Sequence, residues 1–295
     1  MRLGSLNAVS AERHEREVDA VRLQRVEGIV LRTTPFSESS LVGSLFTREL
    51  GKIGVIARGA RRPGRVAAAA FQPTNLITCS VYMGEGSGLR TVSGVELDVA
   101  HEALSQSPER FGLAAYALEL ILSQLPDEEP SSRVFLLLKW LLLALNGASP
   151  DEADRTMVAF EFHLQKALGY GLRVDACARC GGPAGETTWL SVARGGVLCS
   201  SCTPQDACKE PTAAGDLMLL RTMLAEPFAQ WKLRPASEVT IARLAAIARD
   251  VWETHTPVPS KSRSLAFLAE VRGSAYGGQA IACTLPGAAG ETPRR

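Results

Sequence analysis

Histidine and long apolar segments are both scarce in this sequence, and each scarcity restricts what the protein can do. The 295 residues include only 4 His, scattered widely along the chain, so a His-based catalytic triad has little support. The longest apolar run, residues 134–145, is interrupted by Lys139 and falls short of the roughly 20 residues that a membrane-spanning helix needs. A net charge of only +1 means that any nucleic-acid-binding surface must be local.

The sequence signatures of several large enzyme classes are also absent. There is no G-x-x-x-x-G-K-[ST] loop, no strand-borne G-x-G-x-x-G and no G-x-S-x-G elbow, which are typical of nucleotide hydrolysis, dinucleotide chemistry and serine hydrolysis. A DNA ligase needs its nucleophilic lysine in K-x-D-G, and no lysine here is followed by x-Asp-Gly. The sequence therefore predicts a protein that is not an enzyme.

Two C-x-x-C pairs have the spacing of a zinc site. Cys177 and Cys180 form the first pair, and Cys199 and Cys202 form the second, as in tetrahedral four-cysteine centres. The surrounding segment, residues 171–210, holds few large apolar side chains and needs an added constraint to fold. Zinc binding supplies about 10–16 kcal/mol in small zinc peptides. Because four thiolates leave no open coordination position, we predict one structural Zn²⁺ ion.

Other roles fit these cysteines less well. A redox C-x-x-C normally occurs once, after a strand in a βαβ unit, and structural disulfides require an oxidising compartment. An odd total of 7 Cys fits a reducing cytoplasm with four metal ligands. Cys208 lies close enough in sequence to compete as a ligand but has no partner at the same spacing.

Five short segments with the pattern of β-strands precede the cysteines. Turn residues separate them, and they cover residues 26–32, 40–47, 51–57, 75–83 and 89–97. Short strands with glycine between them predict a small closed barrel of the OB type, spanning residues 25–103. Gly43 and Gly54, inside two of these strands, fit the bends that barrel closure requires.

Helical periodicity replaces the strand pattern after residue 104. Ser107, Ser131 and Ser149 are predicted N-caps of helices that end near residues 125, 145 and 168. Further helices are predicted over residues 214–224, 238–253 and 263–272. The predicted fold class is α+β multidomain: an N-terminal five-stranded OB-like barrel, then a helical domain over residues 104–272 that contains the zinc module. Residues 1–24, which lack the apolar core of a signal peptide, and residues 273–295 are predicted to be a flexible extension and a disordered tail.

Basic residues concentrate between the third and fourth predicted strands. Residues 58–65 read R-G-A-R-R-P-G-R, and the residues just upstream add Arg48 and Lys52 against a single acid, Glu49. A Gly- and Pro-containing arginine loop on an OB-like barrel can follow a phosphate backbone, since guanidinium groups bind phosphate in a bidentate manner. The alternative is a solvated loop without a ligand. Phe36, Phe46 and Tyr82 could stack on bases, although aromatic residues of a barrel more often belong to its core.

Several separated motifs resemble RecO, a family of bacterial recombination mediators. They are V-E-G-I-V-L-R-T-T-P-F-S-E-S-S-L (residues 26–41), F-T-R-E-L-G-K-I-G-V-I-A-R-G-A-R-R (46–62), L-G-Y-G-L-R-V-D-A-C-A-R-C-G (168–181), V-L-C-S-S-C (197–202) and K-S-R-S-L-A-F-L (261–268). They occur in the family's order, and the resemblance covers about residues 26–271. Some members lack the zinc cysteines, whereas this chain keeps all four.

The resemblance implies a non-enzymatic DNA repair protein of the RecF pathway, located in the bacterial cytoplasm with the nucleoid and not in a membrane. Such proteins bind single- and double-stranded DNA, anneal complementary strands, contact the single-strand-binding protein and join RecR to help load RecA. The matching basic positions, on and beside the barrel, are Lys52, Arg58, Arg61, Arg62 and Arg65, with Arg32 and Arg90 as further candidates.

Two other interpretations remain open at the level of sequence. One is a zinc-ribbon nucleic-acid-binding protein of transcription or RNA processing, whose cysteine knuckles contact the polymer with the help of Arg173, Arg179 and Arg194. The other is an interaction protein whose barrel docks another protein. The sequence assigns no residues to RecR or to the single-strand-binding protein.

Overall fold

The chain forms two compact units. The computed structural model describes residues 22–62, 64, 66–83, 88–185, 189–206, 209–231, 236–256 and 262–272. The first unit comprises residues 1–100 together with 127–130, and the second comprises residues 101–126 and 131–295. The first strand begins at Arg22, so residues 22–24 of the predicted extension are β-strand. The rest of that extension and the predicted tail over 273–295 lie outside the described residues.

The first unit is a closed five-stranded barrel, which confirms the OB-like prediction. Its strands are arranged in the order β1-β2-β3-β5-β4. Only the β3–β5 pair is parallel, and the other neighbours are antiparallel. The strands are β1 (Arg22–Pro35), β2 (Leu41–Thr47), β3 (Gly51–Ala57), β4 (Leu76–Met83) and β5 (Arg90–Val99), with the short helix α1 (Ala67–Ala70) between β3 and β4.

The barrel interior is filled by alternate residues of its strands. Leu45, Ile53 and Val55 are buried in one cluster because every second side chain of a strand points to the same face. β1 pairs with β4 through its first half and with β2 through its second, with an irregularity between Val30 and Arg32. A Cβ at Gly43 would lie 2.7 Å from the carbonyl oxygen of Arg32, so only glycine allows this close approach.

Residues Asp127–Pro130 pack on the barrel although helices flank them in sequence. The backbone N–H of Glu128 donates to the carbonyl of Lys52 over 2.9 Å. A Cβ at Gly51, whose φ is +70°, would lie 2.4 Å from the backbone of Glu129. The sequence predicted only a break between two helices here, and the structure makes this segment part of the barrel's surface.

The second unit is helical and contains a small sheet. Its helices are α2 (Glu102–Ser105), α3 (Pro108–Gln124), α4 (Ser132–Gly147), α5 (Pro150–Ala167), α6 (Ala214–Ala225), α7 (Phe228–Trp231), α8 (Glu238–His255) and α9 (Arg263–Arg272). The predicted caps are confirmed: the hydroxyls of Ser107, Ser131 and Ser149 each accept a backbone N–H of the first turn. Within the described ranges, no helix is both long and apolar enough to cross a membrane.

The cysteine segment shares the apolar core of the helices. Strands β6 (Trp189–Ser191), β7 (Gly196–Val197) and β8 (Glu210–Pro211) form a three-stranded sheet in the order β7-β6-β8. Leu190 of β6 and Val197 of β7 are buried in the same cluster as Phe162, Leu220 and Leu244 of the helices. The segment is therefore anchored to its unit by apolar packing in addition to whatever its cysteines bind.

Candidate metal centre and nucleic-acid interface

Four cysteine side chains converge at one end of the small sheet. The sulfur atoms of Cys177, Cys180, Cys199 and Cys202 all lie within 4.8 Å of one another. The Sγ atoms of Cys180 and Cys199 are 3.8 Å apart. Tetrahedral coordination with Zn–S bonds of about 2.3 Å places sulfur atoms about 3.8 Å apart. The donor set and the spacing therefore fit the predicted zinc ion.

Backbone turns hold the two cysteine pairs in this geometry. The N–H of Gly181 donates to the Cys177 carbonyl over 2.9 Å, and the N–H of Cys202 donates to the Cys199 carbonyl over 3.0 Å. Gly181 has a φ of +73°, which only glycine adopts at little cost. Burial raises the pKa of Cys177, but backbone N–H groups of Cys180, Cys199 and Arg179 outweigh it and lower the pKa to about 6. These amides stabilise the thiolate that a metal requires.

Three of the arginines predicted to bind DNA, Arg58, Arg61 and Arg62, lie at one end of the barrel. Leu41 pairs with Pro35 on one side and with Ala57 on the other. The chain that leaves β3 therefore runs beside the β1–β2 loop. Arg58, Arg61 and Arg62 are exposed there. Arg65 lies outside the described residues.

Arg58, Arg61 and Arg62 carry no neutralising partner within the described part of the chain: none of them forms an ion pair there. The backbone N–H of Arg61 donates to the Ser39 carbonyl over 2.9 Å, and its Nη1 donates to the Ser37 carbonyl over 3.0 Å. The bond from Nη1 uses one of the five N–H donors of a guanidinium group. The three arginines thus form a positively charged surface that is anchored to the β1–β2 loop.

Lys52 and Arg90 have a different environment from the arginine loop. Nζ of Lys52 lies 3.3 Å from Oδ1 of Asp127, and Nη2 of Arg90 lies 2.7 Å from Oε1 of Glu128. The lysine side chain is only 12% exposed and the arginine side chain only 11%. The sequence missed this pairing, since the only signal was an acidic run between Pro126 and Pro130 with nothing to indicate its partners.

The other residues predicted as possible DNA contacts lie partly on the surface and partly in the core. Arg32 is exposed, and its Nε donates to Oγ of Ser44 over 3.3 Å, so it lies on the outer face of β1 and β2. Phe46 is fully buried, Tyr82 is 39% exposed and Phe36 is 66% exposed. Phe46 therefore belongs to the core, whereas Tyr82 and Phe36 are accessible to a base.

The arginines near the cysteines are only partly available to a ligand. Nε of Arg194 lies 3.0 Å from Oδ2 of Asp206, a buried carboxylate, so this arginine has a structural partner. Arg173 and Arg179 are exposed. The alternative of a nucleic-acid-binding knuckle therefore depends on two arginines.

Comparisons with known proteins agree with this architecture. The family model described as "Recombination protein O N terminal" matches residues 21–98, and the model "Recombination protein O C terminal" matches residues 105–264. A protein of Anaeromyxobacter dehalogenans (strain 2CP-C) named DNA repair protein RecO is 37% identical over 197 residues, which are 66% of this chain and 77% of the relative.

Two further relatives with the same name match over greater lengths. The protein of Geobacter metallireducens is 32% identical over 251 residues, 84% of this chain and 97% of the relative. That of Roseiflexus sp. (strain RS-1) is 32% identical over 257 residues, 85% of this chain and 87% of the relative. These matches include both the barrel and the helical unit with its cysteine cluster. The chain therefore belongs to the RecO family of DNA repair and recombination proteins.

Proposed function

We propose that this protein is a recombination mediator of the RecF pathway. It binds single- and double-stranded DNA through phosphates, anneals complementary strands and, with RecR, helps load RecA onto DNA coated with single-strand-binding protein. Membership of the RecO family supports this role, and the cluster of Arg58, Arg61 and Arg62 at the end of the barrel is the observation that carries it. The role requires no catalytic residue and, on the family's function alone, places the protein in the bacterial cytoplasm with the nucleoid.

Phosphate contacts suit annealing better than base contacts do. A protein that holds the backbone leaves the base edges free to pair with a second strand. Arginine suits this task because its guanidinium binds phosphate with two parallel hydrogen bonds. Arg65 follows the cluster in sequence and Arg32 extends it over the outer face of the barrel. Lys52 and Arg90 reach a phosphate only when it displaces Asp127 and Glu128.

The cysteine cluster has a structural role in this proposal. One Zn²⁺ held by Cys177, Cys180, Cys199 and Cys202 cross-links the two turns that carry them and supplies no catalytic chemistry, since all four positions are filled by thiolates. The ion thereby supports the surface of the helical unit around β6 and β7, while the arginine loop holds the DNA.

The proposal is tested by strand annealing and by DNA affinity at several salt concentrations. Each neutralised phosphate contributes about 0.7–0.9 to the slope of log K against log[salt]. Replacing Arg58, Arg61 and Arg62 together by Ala should therefore reduce the magnitude of that slope by about 2 to 3 and slow the annealing of complementary oligonucleotides. RecR and DNA coated with single-strand-binding protein are then added to measure RecA loading.

Arg173→Ala/Arg179→Ala provides the matched control. These two arginines are also exposed, but they lie beside the cysteines instead of the barrel loop. An unchanged slope in the barrel variant, with a reduced slope in the cysteine-segment variant, would favour the zinc-ribbon alternative. If neither variant reduced the slope, both surfaces would be excluded as the principal DNA contact.

A further inference from the structure

Phe36 is the most exposed aromatic side chain in the part of the chain that the structure describes. It is 66% exposed and follows the last residue of β1. The other phenylalanine considered in this region, Phe46 of β2, is fully buried. Phe36 therefore contributes little to the core of the barrel, and the surface to which it belongs needs an explanation.

The loop that carries Phe36 is held by its own hydrogen bonds. The N–H of Phe36 donates to the Ser40 carbonyl over 3.1 Å, and the N–H of Ser40 donates to Oγ of Ser37 over 3.2 Å. These bonds close the loop between β1 and β2 into a defined turn. The aromatic ring is thus presented to solvent by an ordered backbone.

The same loop is bonded to the arginine segment. Ser37, the next residue after Phe36, accepts from Nη1 of Arg61 over 3.0 Å, and Ser39 accepts from the backbone N–H of Arg61 over 2.9 Å. Consecutive Cα atoms are about 3.8 Å apart, so the residue bearing the ring adjoins the residue that binds the guanidinium. An exposed aromatic residue and arginines that form no ion pair within the described ranges therefore lie on two segments that are hydrogen-bonded to each other.

We propose that Phe36 is a stacking platform for a base of single-stranded DNA whose phosphates contact Arg58 and Arg62. The proposal rests on the proposed DNA-binding function and adds a base-recognition element to it. Exposed aromatic residues beside a basic groove are the general means of holding single strands, because every base has a π-face and stacking tolerates any sequence. In OB barrels, the β1–β2 loop and strands β2 and β3 bind oligonucleotides.

Charge favours a nucleic acid over a protein as the occupant of this surface. Glu38 is the only carboxylate of the β1–β2 loop, against the three exposed arginines that follow β3. A base that stacks on Phe36 must be unpaired, since the bases of a duplex already stack on one another. Phe36 should therefore strengthen binding to single strands and contribute little to binding of duplexes, whereas the arginines contribute to both.

The test compares Phe36→Ala, Phe36→Trp and the native protein on three probes. The probes are single-stranded oligodeoxythymidylate, an abasic oligomer of the same length and duplex DNA. Stacking energies per base predict that Phe36→Ala weakens single-strand binding by about 5- to 150-fold, with no change for the abasic oligomer or the duplex and with an unchanged salt slope. Phe36→Trp should retain affinity, and its added indole fluorescence should be quenched by the thymidylate but not by the abasic strand.

Leu23→Ala is the matched control, since Leu23 is a 52% exposed apolar residue of β1 on the same barrel. It should leave all three affinities unchanged. Equal affinities of native protein and Phe36→Ala for the thymidylate strand would overturn the stacking proposal, and so would an equal loss on the thymidylate and abasic strands. The arginine variants give a separate result: if they change the salt slope while Phe36→Ala changes nothing, phosphate binding stands and only the stacking role fails.

Discussion

Nζ of Lys52 lies 3.3 Å from Oδ1 of Asp127, so a barrel lysine that the sequence assigned to DNA is paired with a carboxylate from the segment between two helices. Glu128 of the same segment forms an ion pair with Arg90. The backbones of the two segments are also hydrogen-bonded, because the N–H of Glu128 donates to the carbonyl of Lys52. Among the described residues, this arrangement separates the basic side chains of the barrel into those that form an ion pair, such as Lys52 and Arg90, and those that do not, such as Arg58 and Arg62.

The first prediction compares the two sets. Lys52→Gln should change the salt slope of DNA binding little, because Asp127 already neutralises the lysine. Arg62→Gln should lower the magnitude of the slope by about 0.7–0.9, the value of one phosphate contact. Fluorescence anisotropy of labelled DNA over a range of salt concentrations measures both. An equal reduction in the two variants would mean that DNA displaces Asp127 from Lys52.

The second prediction concerns Gly51, where the barrel meets Asp127–Pro130. Gly51→Ala places a non-glycine residue at a φ of +70° and its Cβ 2.4 Å from the backbone of Glu129. Gly94 has a φ of +75° with nothing within 4 Å of its Cβ position, so Gly94→Ala tests the backbone strain alone. We expect Gly94→Ala to cost about 1–2 kcal/mol and Gly51→Ala to cost about 1–3 kcal/mol more.

Urea unfolding of the full chain measures both glycine variants. If Gly51→Ala and Gly94→Ala proved equally destabilising, the contact between Gly51 and Glu129 would not restrict the barrel.

The third prediction concerns the metal. Cys180→Ser removes one of four thiolates, so the zinc content should fall from about one ion per chain to near zero, with a lower thermal midpoint of the helical unit. Cys79 lies in the barrel core, where burial, with Glu49 and Asp98 nearby, raises its pKa to about 12. Cys79→Ala should therefore keep its zinc while losing barrel stability. Elemental analysis that found full zinc in Cys180→Ser would contradict the four-thiolate centre.

The fourth prediction follows from the buried carboxyl of Glu161. Burial raises its pKa to about 7, although hydrogen bonds from Tyr116 and Trp252 and the charge of Arg249 oppose the rise. The protonated form is favoured by folding, so this group's contribution to stability is complete below its unfolded pKa, near 4.3, and is lost as pH rises through about 7. The loss amounts to about 4 kcal/mol, at about 1.36 kcal/mol for each pKa unit between about 4.3 and about 7.

Glu161→Gln isolates this effect because glutamine does not titrate. The variant should lose less thermal stability than the native protein between about pH 5 and pH 8. Burial and the nearby Glu210 and Glu253 raise the pKa of Asp250 to about 6, and burial lowers the pKa of His163. Both groups titrate in the native protein and in the variant, so their contributions cancel when the two pH profiles are subtracted. Parallel pH profiles for the two proteins would show that Glu161 is ionised in the folded state at every pH in this range.

Local signals predicted most of the secondary structure. The third strand was predicted over 51–57 and is found there, since glycine precedes an alternating run. The caps Ser107, Ser131 and Ser149 were predicted because a hydroxyl before a proline or an apolar stripe is a short-range signal. The three-stranded sheet β7-β6-β8 was missed because its strands are only two or three residues long and acquire their conformation from pairing across the cysteine segment.

In the candidate sites, too, local features could be predicted from the sequence and tertiary features could not. The spacing of the cysteines was sufficient to predict their convergence, because a two-residue turn brings each pair together and two such pairs are typical of a four-cysteine metal site. The contrast between Phe36 and Phe46 was not predictable, since both adjoin β-branched runs. It depends on where β1 ends and the turn to β2 begins.

The sequence by itself determined the family, the barrel followed by helices, the pairing of the four cysteines and the position of the arginine loop, because each depends on residues that are close together along the chain. Only the tertiary structure decided which basic residues are available to a ligand. Lys52 and Arg90 are neutralised by carboxylates that are far from them in sequence. Arg61 lies against Ser37 and Ser39 of the β1–β2 loop because Leu41 pairs with both Pro35 and Ala57. Electrostatic availability depends on distances between residues remote in sequence, and the folded barrel sets those distances.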